Sequence, residues 1–315
     1  MKMVDAQQAL GFAVSQTAYI EQQVYKVQYP DIQYPALIPV DTSANEWAKS
    51  VTYYSSDKVG RAGWFHSQAK DIHIADIERT KNEVGIEMAD IGYRWTLEEL
   101  GQAMMIPGTN LGPDRAEAAL RAYEEFVDDA VLRGKAEKSF SGFMNYPGVT
   151  TVTAQAGVGG VTWALKATTA TGADEIIRDV NDAITNVYTS TLQVELADTI
   201  LLPLTQMTQI STLRIPNTAM SVLEYLRLHN VYTQITGQPL TIRGVRGLET
   251  AGAGPSARMI AYRRDPQIVK VHIPMTHRFL PVWQTGPMIF DVPGIFRFAG
   301  VEIRRPKSVR YVDGI

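Results

Sequence analysis

Residues 113–134 read PDRAEAALRAYEEFVDDAVLRG, and this stretch predicts one long helix. Ala116, Ala119, Leu120, Tyr123, Phe126, Val127, Ala130 and Val131 recur at three- and four-residue steps, which gathers them on one apolar stripe. Arg115, Glu117, Arg121, Glu124, Glu125 and Asp128 fill the remaining surface, and Glu117 and Arg121 are spaced to pair across a turn. Pro113 suits the first helical position, Asp114 complements the positive helix end, and Gly134 is a natural stop. At 1.5 Å per residue such a helix is about 30 Å long, and its stripe needs a sheet or another helix beneath it.

Beyond it lies Phe140-Ser141-Gly142-Phe143-Met144-Asn145-Tyr146-Pro147-Gly148, a turn-rich loop with large apolar groups. Residues 149–169 alternate as a strand around Gly157-Val158-Gly159-Gly160. A helix follows at 173–189, with Ile176, Val180, Ile184 and Val187 in register, then a buried strand at 199–203 and a helix at about 217–229. From residue 240 the pattern is mostly strand, through Val269–Ile273 and Ile289-Phe290 to the tail from Phe298 to Pro306.

Before the helix, residues 49–96 read as long strands. Val51, Tyr53 and Val59 lead to the bend residues Gly60 and Gly63, then Ile72 and Ile74 alternate about His73. Glu83–Met88 alternates polar and apolar, so the region reads as an extended hairpin with one wet face, sparse enough in apolar groups to need a partner. Residues 5–27 carry Leu10, Val14, Ala18 and Val24 near helical spacing. Tyr29-Pro30, Tyr34-Pro35 and Ile38-Pro39 then predict an extended arm over 28–42 with little to bury against itself. Helices and strands intermingle without βαβ order, so the class is α+β.

With 315 residues, 45 % of them hydrophobic and 20 % charged, the chain has the composition of a folded globular protein rather than a disordered one. A net charge of −3 calls for no overall grip on nucleic acid. The absence of cysteine excludes disulfides, thiolate nucleophiles and thiolate metal sites. The first residues lack a signal-peptide layout, and no apolar run approaches a membrane span, so synthesis and use in a cytoplasm are expected.

No catalytic, cofactor or metal site is expected. The run Gly157–Gly160 lacks the helix opening that a phosphate loop needs, since Val161–Leu165 reads as strand, and a hairpin turn is expected. His272 and His277 are separated by Pro274, which blocks a shared helical face, and no acidic neighbour stands beside them in sequence. His66 and His73 fall in the hairpin as solvent or interface residues. Adjacent acids at Glu98-Glu99, Glu124-Glu125 and Asp128-Asp129 point apart on a helix and read as solvated faces. Basic groups cluster at Arg243, Arg246, Arg258, Arg263 and Arg264, and again at Arg304, Arg305, Lys307 and Arg310; surface strands, subunit salt bridges or DNA contact would each use them.

In order and spacing, these features resemble the major capsid proteins of tailed bacteriophages, the Hong Kong 97-type fold shared with encapsulins. The helix end Glu125-Phe126-x-x-x-Ala130-x-x-x-Gly134, then Gly142-Phe143-Met144-Asn145, and the tail Val301-Glu302-Ile303-Arg304-Arg305-Pro306-x-x-x-Arg310-Tyr311 are similar to one capsid subfamily. The resemblance implies an N-terminal arm over 1–48, an extended hairpin loop over 49–96 and a peripheral domain over 97–194 with its spine helix at 113–134. It further implies an axial domain over 195–255 and return strands over 256–315. It implies self-assembly into pentamers and hexamers of an icosahedral head around double-stranded DNA, touched non-specifically on the inner face. Arm and hairpin reach neighbours, with subunit contacts expected at Tyr29, Tyr34, Lys58, Arg61, Trp64, Lys70, Arg304 and Arg305. Lys58 and Lys70 do not match the lysine–asparagine crosslinking motif of some members. With no long scaffolding segment ahead of the arm, scaffolding, portal and decoration functions are expected from separate proteins, and assembly in a bacterial host's cytoplasm. An encapsulin-like compartment shell is the alternative, and a soluble α+β hydrolase a remote one.

Overall fold

The computed structural model describes residues 29–60, 62, 75–103 and 111–315. The helix expected at 5–27, and the sequence around His66 and His73, lie outside the described residues. The chain divides into two compact units: Met1–Asp31 with Ile91–Ala122 and Phe279–Gly294, and Ile32–Asp90 with Tyr123–Arg278 and Ile295–Ile315.

The long helix runs Leu111–Arg133. Ala119, Tyr123, Val127, Ala130 and Val131 of the expected stripe are buried, with Leu132 added, whereas Leu120 and Phe126 stay exposed. Its C-terminus explains the loop motif that follows. Phe143 N–H donates to the Val131 carbonyl (2.8 Å) and Met144 N–H to that of Leu132 (3.0 Å). The Asn145 amide donates to the Arg133 carbonyl (3.0 Å) and its oxygen accepts from Gly142 N–H (2.8 Å). Carbonyls that a helix end leaves unpaired are thus satisfied by Gly142–Asn145. Two glycines are required: Gly134 has φ +81°, and a Cβ on Gly142 would sit 2.3 Å from the Arg133 carbonyl carbon.

The second unit is built on a five-stranded sheet in the order Thr241–Gly244, Thr199–Leu202, Arg258–Tyr262, Val309–Asp313, Thr150–Thr153. Against it packs the helix Gly172–Ser190, whose Ile176, Val180, Ala183, Ile184 and Val187 join Ile200, Leu202, Ala261 and Val312 in one core. Arg258, buried, pairs with Asp313 at 2.6 and 2.8 Å, donates to the Met144 carbonyl and lies 4.6 Å above the Tyr311 ring. Tyr311 in turn donates to the Phe143 carbonyl. The sequence-distant tail and helix-capping loop are therefore one structural joint. Two three-stranded sheets complete the unit: Val40–Asp41, Val269–His272, Val301–Ile303; and Met275–Phe279, Gly294–Phe298, Glu87–Asp90.

In the first unit, Trp283–Gly286, Ile289–Val292 and Tyr93–Thr96 form an antiparallel sheet beside the short helix Leu97–Ala103. Arg94 and Asp291 pair across it at 2.6 Å.

Several expectations are corrected. Only Thr150–Thr153 of 149–169 is strand; Gly157 and Gly160 exchange two backbone bonds in a tight turn, but not in the expected hairpin, because Trp163–Lys166 after it is helix. Thr162 caps it, and burial of Trp163, whose indole donates to Asp179 (3.0 Å), outweighs the strand-like alternation. The helix expected at 217–229 is Val222–Leu228, because Ser221 is its N-cap and Asn217 has φ +62°. Leu204–Thr212 and Val231–Thr236 are helices that periodicity missed. The second announces itself by Asn230, whose side chain caps Thr233 N–H, and by left-handed Gly237.

Candidate functional site

The surfaces that matter are the two segments read as unable to stand alone. Ser50–Val59 and Asp76–Gly85 pair antiparallel in unbroken register from Ser50 opposite Gly85 to Val59 opposite Asp76. Among the described residues no further strand joins this ribbon. Past its root it is bare on both sides: Tyr54 is 70 % exposed, and Val59 and Ile77 are each 53 % exposed. Half-burial is confined to the root, at Ser50, Val51, Tyr53, Asn82 and Val84, and Arg304 lies 4.6 Å over the Tyr53 ring.

The arm behaves differently, and the expectation of a segment with little to bury against itself does not hold over 33–41. Tyr34–Leu37 is a helical turn, and Tyr34, Leu37 and Ile38 are buried. The prolines leave this strap rich in acceptors, and the body supplies donors: Tyr262 hydroxyl to the Leu37 carbonyl (2.7 Å), Arg264 to Leu37 and Pro35, and Val271 N–H to Pro39 (3.0 Å). Burial pushes the Tyr34 phenol up to about 12, with Tyr123, Glu124 and Asp128 adding to it. Asp128 accepts from the backbone N–H groups of Gln33 (3.0 Å) and Tyr34 (2.8 Å) and is buried. The solvated-face reading fails at that residue.

The strap ends in an ionic knot. Asp41 accepts from Lys270 (2.6 Å) and lies 3.6 Å from buried His272, whose other nitrogen meets Glu302 at 2.5 Å; Arg304 closes on Glu302 at 2.9 Å. Burial alone would raise the Asp41 carboxyl, but hydrogen bonds from Lys270 and Ser43 and the Lys270 charge hold it far below the usual range. Glu302 is likewise raised by burial and brought down net by His272 and Arg304. His272 therefore has two acidic neighbours that its sequence surroundings did not reveal. His277 instead stacks on Tyr123 (5.3 Å), so the two histidines do not converge. Among the described residues, no group of three or more His, Cys, Asp or Glu is placed to hold a metal.

Of the eight expected contact residues, Tyr29 is exposed beneath the Arg121 guanidinium (5.4 Å) and Lys58 is exposed on the ribbon. Tyr34 is enclosed by its own chain. Arg304 is engaged by Glu302 and Tyr53, and half-exposed Arg305 pairs with Glu195 at 2.5 Å, which also holds Arg263. Arg61, Trp64 and Lys70 lie outside the described residues. Asp41, Asp128 and Arg264 were missed; the apolar Leu37-Ile38 pair between prolines was the available sign that this strap has a seat.

A bare two-stranded ribbon, a long capped helix and an α+β body are the arrangement of a shell subunit. Residues 60–315 match the family model of the major capsid proteins, and the chain belongs to that family. No curated protein sequence matches it. Among solved structures, the capsid of Myoviridae phage XM1 superposes with a TM-score of 0.80 at 18 % identity, covering 100 % of this chain and 99 % of that one. The capsid of a native GTA particle gives 0.63 at 11 % identity, with 99 % of each chain covered. Microbacterium phage Oxtober96 gives 0.60 at 15 %, with 98 % of each covered. The protein is a structural capsid subunit with the α+β, Hong Kong 97-type capsid fold, and its place is the virion shell.

Proposed function

We propose that this subunit assembles into pentamers and hexamers that close an icosahedral head around double-stranded DNA in the cytoplasm of a bacterial host. The observation carrying this reading is the ribbon: ten paired residues on each strand with almost no burial beyond the root. An isolated two-stranded ribbon is marginally stable in water, and a neighbouring copy supplies the missing third surface. Residues 195–255 then form the axial domain at the symmetry axes, residues 97–194 and 256–315 the peripheral one, and residues 1–48 the arm. Lys58 of the ribbon, and Arg61, Trp64 and Lys70 in the sequence between its two strands, with Tyr29 and Arg305, contribute subunit contacts; Arg304 contributes through Tyr53 at the ribbon's root. A net charge of −3 suits a wall that encloses DNA without trapping it. Portal, scaffolding and decoration functions belong to separate proteins.

Sedimentation and electron microscopy of the purified full chain test this. Closed particles built from five- and six-membered rings are expected, holding DNA when isolated from infected cells. A stable monomer whose ribbon resists protease overturns the proposal, and particles filled with one protein cargo replace it with the compartment-shell reading.

A further inference from the structure

The ribbon is sorted by charge. Residues directly opposite in an antiparallel pair share a face, and alternate residues change face. One face therefore carries Val51, Tyr53, Ser55, Asp57 and Val59 with Asp76, Glu78, Thr80, Asn82 and Val84. The other carries Thr52, Tyr54, Ser56 and Lys58 with Ile77, Arg79, Lys81 and Glu83. The Asn82 amide donating to Ser55, and the Ser50 hydroxyl to Glu83, fit this division. Every charge on the first face is acidic: Asp57, Asp76 and Glu78. The second bears Lys58, Arg79 and Lys81, with Glu83 held by Lys81 at 3.2 Å.

Burial shows independently which face turns inward. At the root, Val51, Tyr53, Asn82 and Val84 are half-buried while Thr52, Tyr54 and Glu83 are exposed, so the acidic face is the one that continues from the chain's own body. There the body already offers it a cation, Arg304 over Tyr53. Farther out, Asp57 and Glu78 stand directly opposite each other. Like charges in that position weaken a strand pair. Among the described residues no cation meets Asp57, Asp76 or Glu78.

We infer that the inner face of the ribbon docks through Asp57, Asp76 and Glu78 on a cationic surface of a second copy of this chain, Arg79 and Lys81 of the outer face remaining wet. This rests on the proposed assembly and goes further in naming the face and the chemistry of its seat. The chain supplies suitable cations: Arg263 and Arg305 both pair with Glu195, Arg263 also lying 3.9 Å from Asp265, and Lys307 nearby in sequence is exposed. An acidic face on a ribbon also repels the same face of another ribbon, which favours ribbon-on-body over ribbon-on-ribbon pairing.

The test compares full-length variants in an assembly assay read by light scattering and sedimentation over protein and salt concentration. Asp57→Asn with Glu78→Gln should raise the threshold concentration for particles by about tenfold and flatten its salt dependence. Arg79→Gln with Lys81→Gln on the outer face should move it by less than about threefold, as for rim charges. Thermal melting of unassembled protein is the control: neutralising a repulsive pair should leave the melt unchanged or raise it. Equal thresholds for the two variants, a larger effect on the outer face, or a lowered melt for the inner variant overturns the inference while leaving the capsid reading standing. A wild-type chain that never assembles overturns both.

Discussion

The strap over residues 33–41 and the ribbon of Ser50–Val59 with Asp76–Gly85 stand close together in sequence, and both are poor in long apolar runs. Their fates are opposite. The strap places Leu37 and Ile38 in the body at 2 % and 0 % exposure and hands its carbonyls to Tyr262, Arg264 and Val271, whereas among the described residues the two strands of the ribbon pair with each other and with no third strand. Apolar content alone therefore does not tell a segment that needs a neighbour from one that needs its own body. What separates them is where partners for the backbone lie: prolines strip the strap of donors and leave carbonyls that donors already fixed in the body satisfy, while the ribbon satisfies only the groups between its two strands and keeps two outer edges that no further strand pairs among the described residues.

The contrast can be broken by mutation. Ile38→Ala in the strap should cost about 2–5 kcal/mol of folding stability in chemical denaturation of unassembled protein, since it leaves a cavity in a closed site. Asp128→Ala, which strands the N–H groups of Gln33 and Tyr34, should cost about 1–3 kcal/mol in the same assay. A cost near zero for either would mean that the strap is not seated on its own body in solution. Tyr54→Ala on the ribbon should stay within about 0.5 kcal/mol, because nothing in the isolated chain encloses it; a loss comparable to that of Ile38→Ala would erase the distinction.

Acid sharpens the same comparison. The Asp41 and Glu302 carboxyls titrate below their ordinary range in the folded chain. Their contribution is therefore complete above the unfolded carboxylate pKa of about 4 and is lost as pH falls below it. Hydrogen exchange at Val40–Asp41 should accelerate, relative to intrinsic rates, as pH drops below about 4, and Asp41→Asn should flatten that dependence. Exchange at the strap that is indifferent to acid, or equally steep in the variant, would show that the ionic knot does not hold it.

Much of this was legible before folding was considered. The long helix, its stop at Gly134, the helix Gly172–Ser190 and the strand Thr199–Leu202 follow from spacing, because each buries one continuous face against one neighbour. The Gly142–Asn145 motif was visible, but its role was not: the donors of Phe143 and Met144 become meaningful only once the carbonyls of Val131 and Leu132 stand opposite them. Trp163–Lys166 was misread because its deciding partner, Asp179, lies sixteen residues from Trp163.

By itself, then, the order of residues settled the long helix, the helix Gly172–Ser190 and the strand Thr199–Leu202, the absence of thiol chemistry, and the presence of a ribbon too sparse to make a core. Local spacing suffices for such matters, since each depends on neighbours within a turn or a strand. Only tertiary structure decided that the strap belongs to its own chain, that Asp128 is an anchor and not a wet helix residue, and that His272 sits between Asp41 and Glu302. Those outcomes depend on donors, acceptors and charges brought from distant parts of the chain, where burial makes each unmet polar group costly and so selects one partner.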